Sequence, residues 1–194
     1  GMQRGLQQSQ AEITIVCCDL RGFTAFAQAH PSETVIGILK EYYDAAGEVA
    51  AAHGATIKDF AGDGVLLLVG APEPRADHAR AGVELATALV RRAAAIVDRH
   101  GSAEHRLGVG AGVATGVVTV GVIDSKSRLE YAAVGSAVNL SARLCSVAAA
   151  GQVRVAQRTA ELSGLSDLTA LPAVSLKGMG EEIPNFAVAM PVGA

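Results

Sequence analysis

Two aspartates, each followed closely by glycine, are the residues of this sequence best suited to chemistry. Asp19 closes the apolar run of residues 13–18 and precedes Leu-Arg-Gly-Phe-Thr, whereas Asp63 lies in the turn Gly-Asp-Gly before the apolar residues 65–69. Two carboxylates brought to one point can hold Mg²⁺ ions against the phosphates of a nucleotide. Aspartate and glycine are also common in ordinary turns, so this prediction depends on the rest of the pattern.

The hydrophobic pattern predicts the elements that position these aspartates. Strands are predicted over residues 12–19, 55–61, 64–69, 107–113, 117–122, 153–155, 174–176 and 186–189. Helices are predicted over residues 32–53 with Ser32 as N-cap, from Asp77 as N-cap to residue 100, and over residues 136–148. A turn at Thr115-Gly116 separates the fourth and fifth strands. The order predicts an α+β domain with helices on one face of a mostly antiparallel sheet.

Size and composition narrow the class of protein. The 194 residues suit one domain, which we expect to span 11–190, with residues 1–10 as a tag remnant and linker. A formal net charge of −3 provides no basic excess for nucleic acid. The longest uncharged stretch, residues 107–123, is interrupted by glycines and is shorter than the roughly 20 apolar residues of a membrane helix. We therefore expect no contact of this domain with nucleic acid or membrane.

The cysteines and the N-terminal sequence predict a cytoplasmic location. Cys17, Cys18 and Cys145 lack metal-binding spacing, so we expect buried, reduced thiols. Residues 1–10 lack the apolar central region of a signal peptide. Their polar character suggests a cut linker from a longer natural protein, and a membrane-tethered parent protein stays open as an alternative.

Four segments, in this order along the chain, resemble the catalytic domains of the class III adenylate and guanylate cyclases. They run from Asp19 to Thr24, from Ala61 to Gly64, from Tyr131 to Leu144 and from Leu176 to Gly178. Each is weak alone, but together they are spread over nearly the whole chain. The resemblance implies a ferredoxin-like βαββαβ core with extra strands and helices. It also implies a phosphorus–oxygen lyase that converts a nucleoside triphosphate, ATP before GTP, into the 3′,5′-cyclic nucleotide and pyrophosphate.

The resemblance assigns metal and phosphate binding to particular residues. Asp19 and Asp63, with the backbone carbonyl of Leu20, match the ligands of two Mg²⁺ or Mn²⁺ ions per active site. The phosphate-binding residues that it implies are Gly22, Phe23, Thr24 and Lys177. For the first three, backbone N–H groups leading into a helix would bind phosphate oxygens.

Asn139 and Arg143 match the family's catalytic pair. They lie four residues apart on a predicted helix, so they share one face, although solvated surface residues would show the same spacing. The resemblance makes Asn139 the residue that orients the ribose and Arg143 the residue that stabilises charge on the α-phosphoryl group. The family places the metal half and the Asn/Arg/Lys half of each site on opposite subunits. Because this chain carries both halves, a head-to-tail homodimer with two shared sites is implied, and the apolar residues 107–123 are a candidate for the contact.

The positions that select the base depart from the family's pattern. Four residues before the second metal aspartate, where adenylate cyclases commonly have Lys and guanylate cyclases Glu, this chain has Asp59, with Lys58 one step earlier. Seven residues before Asn139, where adenylate cyclases commonly have Asp or Thr and guanylate cyclases a small residue or Cys, it has Ala132. Asp59 favours guanine by charge, whereas Lys58 could serve only if a β-bulge shifted the register of its strand. This pattern predicts weak base selectivity, low activity or an unusual preference.

Two other functions stay open as hypotheses. A catalytically weak or inactive cyclase homology domain, acting as a dimerisation or nucleotide-sensing module, would explain the altered base pocket. The presence of all four residues Asp19, Asp63, Asn139 and Arg143 argues against it, because a decayed domain need not keep them. A diguanylate cyclase is the weaker hypothesis, since its Gly-Gly-Asp/Glu-Glu-Phe turn is absent from this sequence.

Overall fold

The computed structural model describes residues 8–190, in which eight strands form one sheet with helices against both faces. The strands are β1 (Ser9–Arg21), β2 (Thr56–Ala61), β3 (Gly64–Val69), β4 (Gly108–Ser125), β5 (Arg128–Val134), β6 (Val153–Ala156), β7 (Leu168–Ser175) and β8 (Glu182–Val188). The helices are α1 (Phe23–Ala29), α2 (Ser32–Ala52), α3 (His78–His100), α4 (Ser136–Val147) and α5 (Gln157–Ser163). The strand order is β2-β3-β1-β4-β6-β8-β7, and β5 pairs with the distal end of β4. The pair β4–β6 is parallel and the other pairs are antiparallel.

The central strand β1 supplies side chains to two cores, because its residues alternate between the faces of the sheet. Val16 packs in a core that includes Tyr42 of α2 and much of α3. Ile15 belongs to a second core that includes Leu144 of α4. Asp19 follows Ile15 by four residues and therefore lies on the same face of the sheet, the one that packs against α4. The predicted α+β fold is confirmed, but the expectation that the helices cover one face is wrong, since α4 lies opposite α2 and α3.

Helix α4 approaches the sheet closely because its side of β4 is lined with glycine. The glycines that alternate along this face are Gly108, Gly110, Gly112 and Gly116. A Cβ atom on Gly112 would lie 2.2 Å from the carbonyl oxygen of Ser141 and 2.4 Å from the backbone nitrogen of Cys145. Backbone therefore contacts backbone at this point, and any side chain at residue 112 would push α4 away from the sheet.

The prediction of two strands around a turn at Thr115-Gly116 is wrong. Both residues continue β4 without interruption and pair with β1. The glycines that indicate a turn in the sequence serve the packing of α4 instead. The hairpin partner of β4 is β5, over residues 128–134, where the sequence pattern predicts no strand.

Helices α2 and α3 begin close to their predicted N-caps but without capping by side chains. Pro31 is the N-cap of α2, so Ser32 is the first helical residue. Asp77 is the N-cap of α3, yet its carboxylate accepts a 2.7 Å hydrogen bond from Arg75 and does not cap the helix. An additional short helix, α5, follows β6.

The described part of the chain begins inside the expected lead-in. Residues 1–7 of the predicted tag remnant and linker lie outside the described residues, and β1 begins at Ser9. Among residues 8–190, no helix is both long enough and apolar enough to cross a membrane.

The packing of α4 on β4 predicts a large cost for a single added methyl group. We expect Gly112→Ala to lower the free energy of unfolding by about 1–3 kcal/mol, because the Cβ atom would overlap helix backbone that cannot move independently. Gly47→Ala is the matched control: no atom lies within 4 Å of its added Cβ, and alanine in α2 should stabilise by up to about 1 kcal/mol. Urea unfolding of both variants is the measurement. Equal stability of Gly112→Ala and the unaltered chain would contradict the close packing.

Candidate functional site

The two aspartates singled out in the sequence lie next to each other at the ends of β1 and β3. Asp19 pairs with Gly64, which is the residue that directly follows Asp63. The backbone N–H of Leu20 donates a 3.0 Å hydrogen bond to the carbonyl oxygen of Asp63, which ties the two segments together. The hydroxyl of Tyr43 donates to the carbonyl oxygen of Gly62 and holds the turn from the α2 side. The sequence prediction that the two carboxylates share one point of the fold is therefore supported by the backbone.

The electrostatics at this point favour a bound cation. Burial raises the pKa of Asp19, the nearby Arg21 guanidinium opposes that shift, and the charge of Asp63 raises the pKa further. A divalent cation between the carboxylates would relieve both the burial cost and the mutual repulsion.

The donor set fits Mg²⁺ or Mn²⁺ bound together with a substrate. Carboxylate oxygens are hard ligands of the kind that these ions prefer. Within residues 8–190, no group of three or more His, Cys, Asp or Glu side chains could hold a metal ion by itself. The side chain of Leu20 is aliphatic and has no donor atom, so only its backbone carbonyl could add a ligand. Most coordination positions would therefore be left for water and for phosphate oxygens.

A surface groove beside Asp63 contains part of the predicted phosphate-binding segment. Phe23 and Thr24, at the start of α1, line it together with Gly62 and Asp63. Gly22 precedes α1 with a φ of 74°, and a Cβ atom there would lie 2.3 Å from the carbonyl oxygen of Arg106. Only glycine fits this turn, so the path by which the chain enters α1 depends on it.

The predicted catalytic pair lies on the solvent-facing side of α4. Asn139 and Arg143 are both exposed, and neither side chain is hydrogen-bonded to another residue in the part of the chain that the structure describes. Lys177 is also exposed, in the turn between β7 and β8 that closes at Gly178 with a φ of 84°. These side chains are free to meet a ligand or a second subunit.

The base-selecting positions contain the β-bulge that the sequence argument requires. Ile57 pairs with Leu67 and Asp59 pairs with Leu66, so Lys58 has no partner in β3. The side chain of Lys58 is 8% exposed, whereas that of Asp59 is 56% exposed. Lys58 therefore points inward, and Asp59 points toward solvent. Ala132 lies on β5 opposite Gly121.

Arg21 is a residue of the site that the sequence argument does not single out. Its guanidinium donates through Nη1 to the carboxylate of Asp19 and through Nη2 to the carbonyl oxygens of Cys145 and, at 3.3 Å, Ala148. These carbonyls lie at the end of α4, where helix acceptors lack the regular partners of a helix interior, and that of Cys145 also accepts a 3.2 Å hydrogen bond from the N–H of Ala148. The alternation of β1 puts Asp19 and Arg21 on one face and is the signal that could have found the pair. Arg21 thus joins the candidate metal ligand to the helix that carries the predicted catalytic pair.

Comparison with known proteins identifies the family. The sequence model of the adenylate and guanylate cyclase catalytic domain matches residues 6–188. This chain belongs to that family. The cyclase domain is 35% identical over 138 residues to adenylate cyclase 1 of Rhizobium meliloti (strain 1021), a match that covers 69% of this chain and 20% of that protein. It is 31% identical over 144 residues to an adenylate cyclase of Mycobacterium tuberculosis (strain ATCC 25618 / H37Rv), with 74% of this chain and 32% of that protein covered.

Solved structures of cyclases share the fold of this domain. The adenylyl cyclase CyaB from P. aeruginosa superposes with a TM-score of 0.88 at 26% identity, covering 95% of this chain and 96% of that one. The guanylyl cyclase Cya2 superposes with a TM-score of 0.80 at 34% identity, covering 93% of each chain. The cyclase domain spans between a fifth and a third of the curated relatives described above. The predicted family and fold are confirmed and the named relatives are cyclases, whereas the activity of this chain and the roles of individual residues stay predictions.

The position of Arg21 in the cyclase domain predicts a loss of stability when its donors are removed. We expect Arg21→Met to lower the free energy of unfolding by about 1.5–3 kcal/mol, because hydrogen bonds to a carboxylate and to helix-ending carbonyls are lost together. Arg21→Lys should recover only part of the loss, since one ammonium group cannot reproduce the planar fork. The exposed Arg106 gives the control: Arg106→Met should change stability by less than about 0.5 kcal/mol. Urea unfolding that fails to separate Arg21→Met from Arg106→Met would contradict the bridging role.

Proposed function

We propose that this domain is a nucleotidyl cyclase that converts a purine nucleoside triphosphate, with ATP as first candidate and GTP as second, into the 3′,5′-cyclic nucleotide and pyrophosphate. The observation that carries the proposal is the backbone hydrogen bond between Leu20 and Asp63, which brings two carboxylates together beside the groove of Phe23 and Thr24. Its relatives named adenylate cyclase and guanylyl cyclase support the same reaction.

The metal half of the proposed site consists of Asp19, Asp63 and the carbonyl of Leu20. These groups would hold two Mg²⁺ or Mn²⁺ ions, which supply a lowered pKa for the ribose 3′-hydroxyl and charge neutralisation at the phosphates. The backbone N–H groups of residues 22–24 would bind phosphate oxygens at the same end of the sheet. Arg21 would keep the Asp19 carboxylate oriented before substrate arrives.

The other half of the proposed site consists of Asn139, Arg143 and Lys177. Asn139 would hold the ribose so that its 3′-hydroxyl faces the α-phosphorus. The guanidinium of Arg143 would stabilise the charge that develops on the α-phosphoryl group, and the ammonium of Lys177 would bind the terminal phosphates. Their exposure in the single chain leaves all three side chains available for these contacts.

We propose that the two halves meet across a head-to-tail homodimer. Arg21 donates hydrogen bonds both to the carboxylate of Asp19 and to the carbonyl oxygen of Ala148 at the end of α4. The buried side of α4 faces the sheet that carries Asp19, whereas Asn139 and Arg143 lie on the exposed side of the helix. We infer that these two side chains point away from the Asp19 of their own chain. A second chain, turned head to tail, would bring its own Asn139 to the first chain's Asp19.

The free face of the β4–β5 hairpin is the best candidate for that contact. Val117, Ile123 and Val134 are each more than half exposed, and the strand register places them on one face together with Ala132. Burying apolar side chains of this size would favour association. Within the expected contact region of residues 107–123, only 117–123 can contribute to this surface, because residues 109–115 are buried inside the single chain.

A non-catalytic, nucleotide-sensing domain is the second candidate function. The observation that favours it is the unusual pair of base positions: Asp59 points to solvent, and Ala132 has no side-chain hydrogen-bonding group. The location that we propose is cytoplasmic. Cys17, Cys18 and Cys145 are free thiols, which suits a reducing compartment.

The proposed function predicts that each metal aspartate is indispensable. Asp19→Ala or Asp63→Ala should lower cyclic nucleotide formation by at least about 10³-fold, because each removes a ligand that the reaction requires. Asp44→Ala, which removes an exposed carboxylate of α2, is the matched control and should keep full activity. Chromatography of the products from ATP and from GTP, with Mg²⁺ or Mn²⁺, is the measurement. Equal turnover by Asp63→Ala and Asp44→Ala would overturn the assignment of the site.

Sharing of the site between subunits predicts recovery of activity by mixing. Asp63→Ala and Arg143→Ala chains should each be inactive alone, since every site in either homodimer lacks one group. A mixture should form heterodimers with one complete site and recover about a quarter of the unaltered activity after statistical exchange. A mixture that stays inactive, although native mass spectrometry detects the heterodimer, would contradict the shared site.

A further inference from the structure

Lys58 has an unusual environment for a lysine. Its side chain is almost completely buried, although lysine is rarely buried in proteins unless it is paired. The β-bulge turns it inward, and its Nζ donates a 2.7 Å hydrogen bond to the carboxylate of Asp59. The ammonium carries three donors, so this bond leaves others available.

A second carboxylate faces Lys58 from the β5 strand. Oε1 of Glu130 lies 3.9 Å from Nζ of Lys58, close enough for an ion pair but longer than a hydrogen bond. The other oxygen, Oε2, accepts a 2.6 Å hydrogen bond from Arg128, which steadies the side chain. Glu130 and Ala132 are two residues apart on β5 and therefore share a face. Glu130 therefore provides, two residues from Ala132 on the same strand, the hydrogen-bond acceptor that Ala132 lacks.

Lys58 and Glu130 present a hydrogen-bond donor and a hydrogen-bond acceptor side by side. Adenine offers the complementary order at its edge, with the N1 acceptor next to the N6 amino donor. Lys58 would donate to N1 while the N6 amino group donates to Glu130. Guanine in the same orientation would put its O6 acceptor against the carboxylate of Glu130 and its N1–H donor against the ammonium of Lys58. Both contacts would be mismatched, and a site built this way rejects the wrong base strongly.

We propose that Lys58 and Glu130 are the specificity-determining pair of the base pocket and that they select adenine. The inference rests on the proposed cyclase function and deepens it by naming the base. It assigns to Glu130 a role that the sequence pattern does not reveal, and it transfers base recognition away from Asp59 and Ala132. In the proposed arrangement Asp59 positions the ammonium of Lys58 and does not touch the base.

The test is the ratio of ATP to GTP use by the full domain, measured as kcat/KM for each cyclic product. The unaltered domain should prefer ATP. Glu130→Ala removes the acceptor for N6 and the repulsion of O6, so the ratio should fall about tenfold or more. Lys58→Met, which keeps the length of the buried side chain, should lower the ratio similarly. The double variant should use both nucleotides with nearly equal efficiency.

Two control variants separate base reading from a structural ion pair. Asp124→Ala removes a carboxylate from the opposite face of the same hairpin and should leave the ratio within about twofold of its original value. Asp59→Asn keeps an acceptor for Lys58 and should have a much smaller effect than Glu130→Ala. Urea unfolding of each variant checks that it is folded. A structural role would lower stability for Glu130→Ala without moving the ratio.

Direct binding provides a second readout that needs no turnover. Calorimetric titration with the α,β-methylene analogues of ATP and GTP, in the presence of Mn²⁺, gives the ratio of the two affinities for each variant. This ratio should rank the variants in the same order as the kcat/KM ratio. An unchanged ratio in Glu130→Ala and Lys58→Met, or a collapse of GTP use in Asp59→Asn alone, would overturn the inference. If the unaltered domain bound the ATP analogue selectively but formed no cyclic product, the cyclase proposal would fail while the base assignment would stand.

Discussion

The contact between the backbones of helix α4 and strand β4 is the constraint on which the rest of the structure depends. At Gly112 no side chain separates the two elements. Strand β4 in turn pairs with β1 along the whole of β1, from Ser9 to Arg21. The helix that carries the predicted catalytic pair is thereby positioned against the strand that carries the candidate metal ligand Asp19. A change in either element must be transmitted to the other.

Arg21 adds a polar connection to this apolar packing. Its guanidinium satisfies the carbonyls at the end of α4 and the carboxylate of Asp19 at once. The buried side of α4 faces the sheet that carries Asp19, whereas Asn139 lies on the exposed side of that helix, even though both belong to the same proposed chemistry. This orientation is the physical reason for proposing a second subunit, because each chain would then supply the half-site that the other lacks. The exposed apolar side chains of the β4–β5 hairpin provide a surface on which such a subunit could be bound.

The parts of the site that follow from local sequence were predictable, and those that follow from tertiary packing were not. Asp19 and Asp63 could be found because strand ends and glycine turns leave a local pattern. The turn predicted at Thr115-Gly116 is wrong because glycine has two uses, and only the tertiary structure shows that here it admits α4. The inward direction of Lys58 depends on a bulge that no periodicity reveals. Glu130 could not be singled out, since its position opposite Lys58 results from the meeting of distant strands.

The central claim is that the domain forms a cyclic nucleotide at a site made by two copies of the chain. The most direct measurement is the specific activity of the unaltered domain as a function of protein concentration, with ATP and Mn²⁺ and with the cyclic nucleotide and pyrophosphate both quantified. The account predicts equal amounts of the two products and a specific activity that rises with concentration until the dimer is saturated. No cyclic product at any concentration, or a specific activity that stays constant while sedimentation shows a monomer, would contradict it.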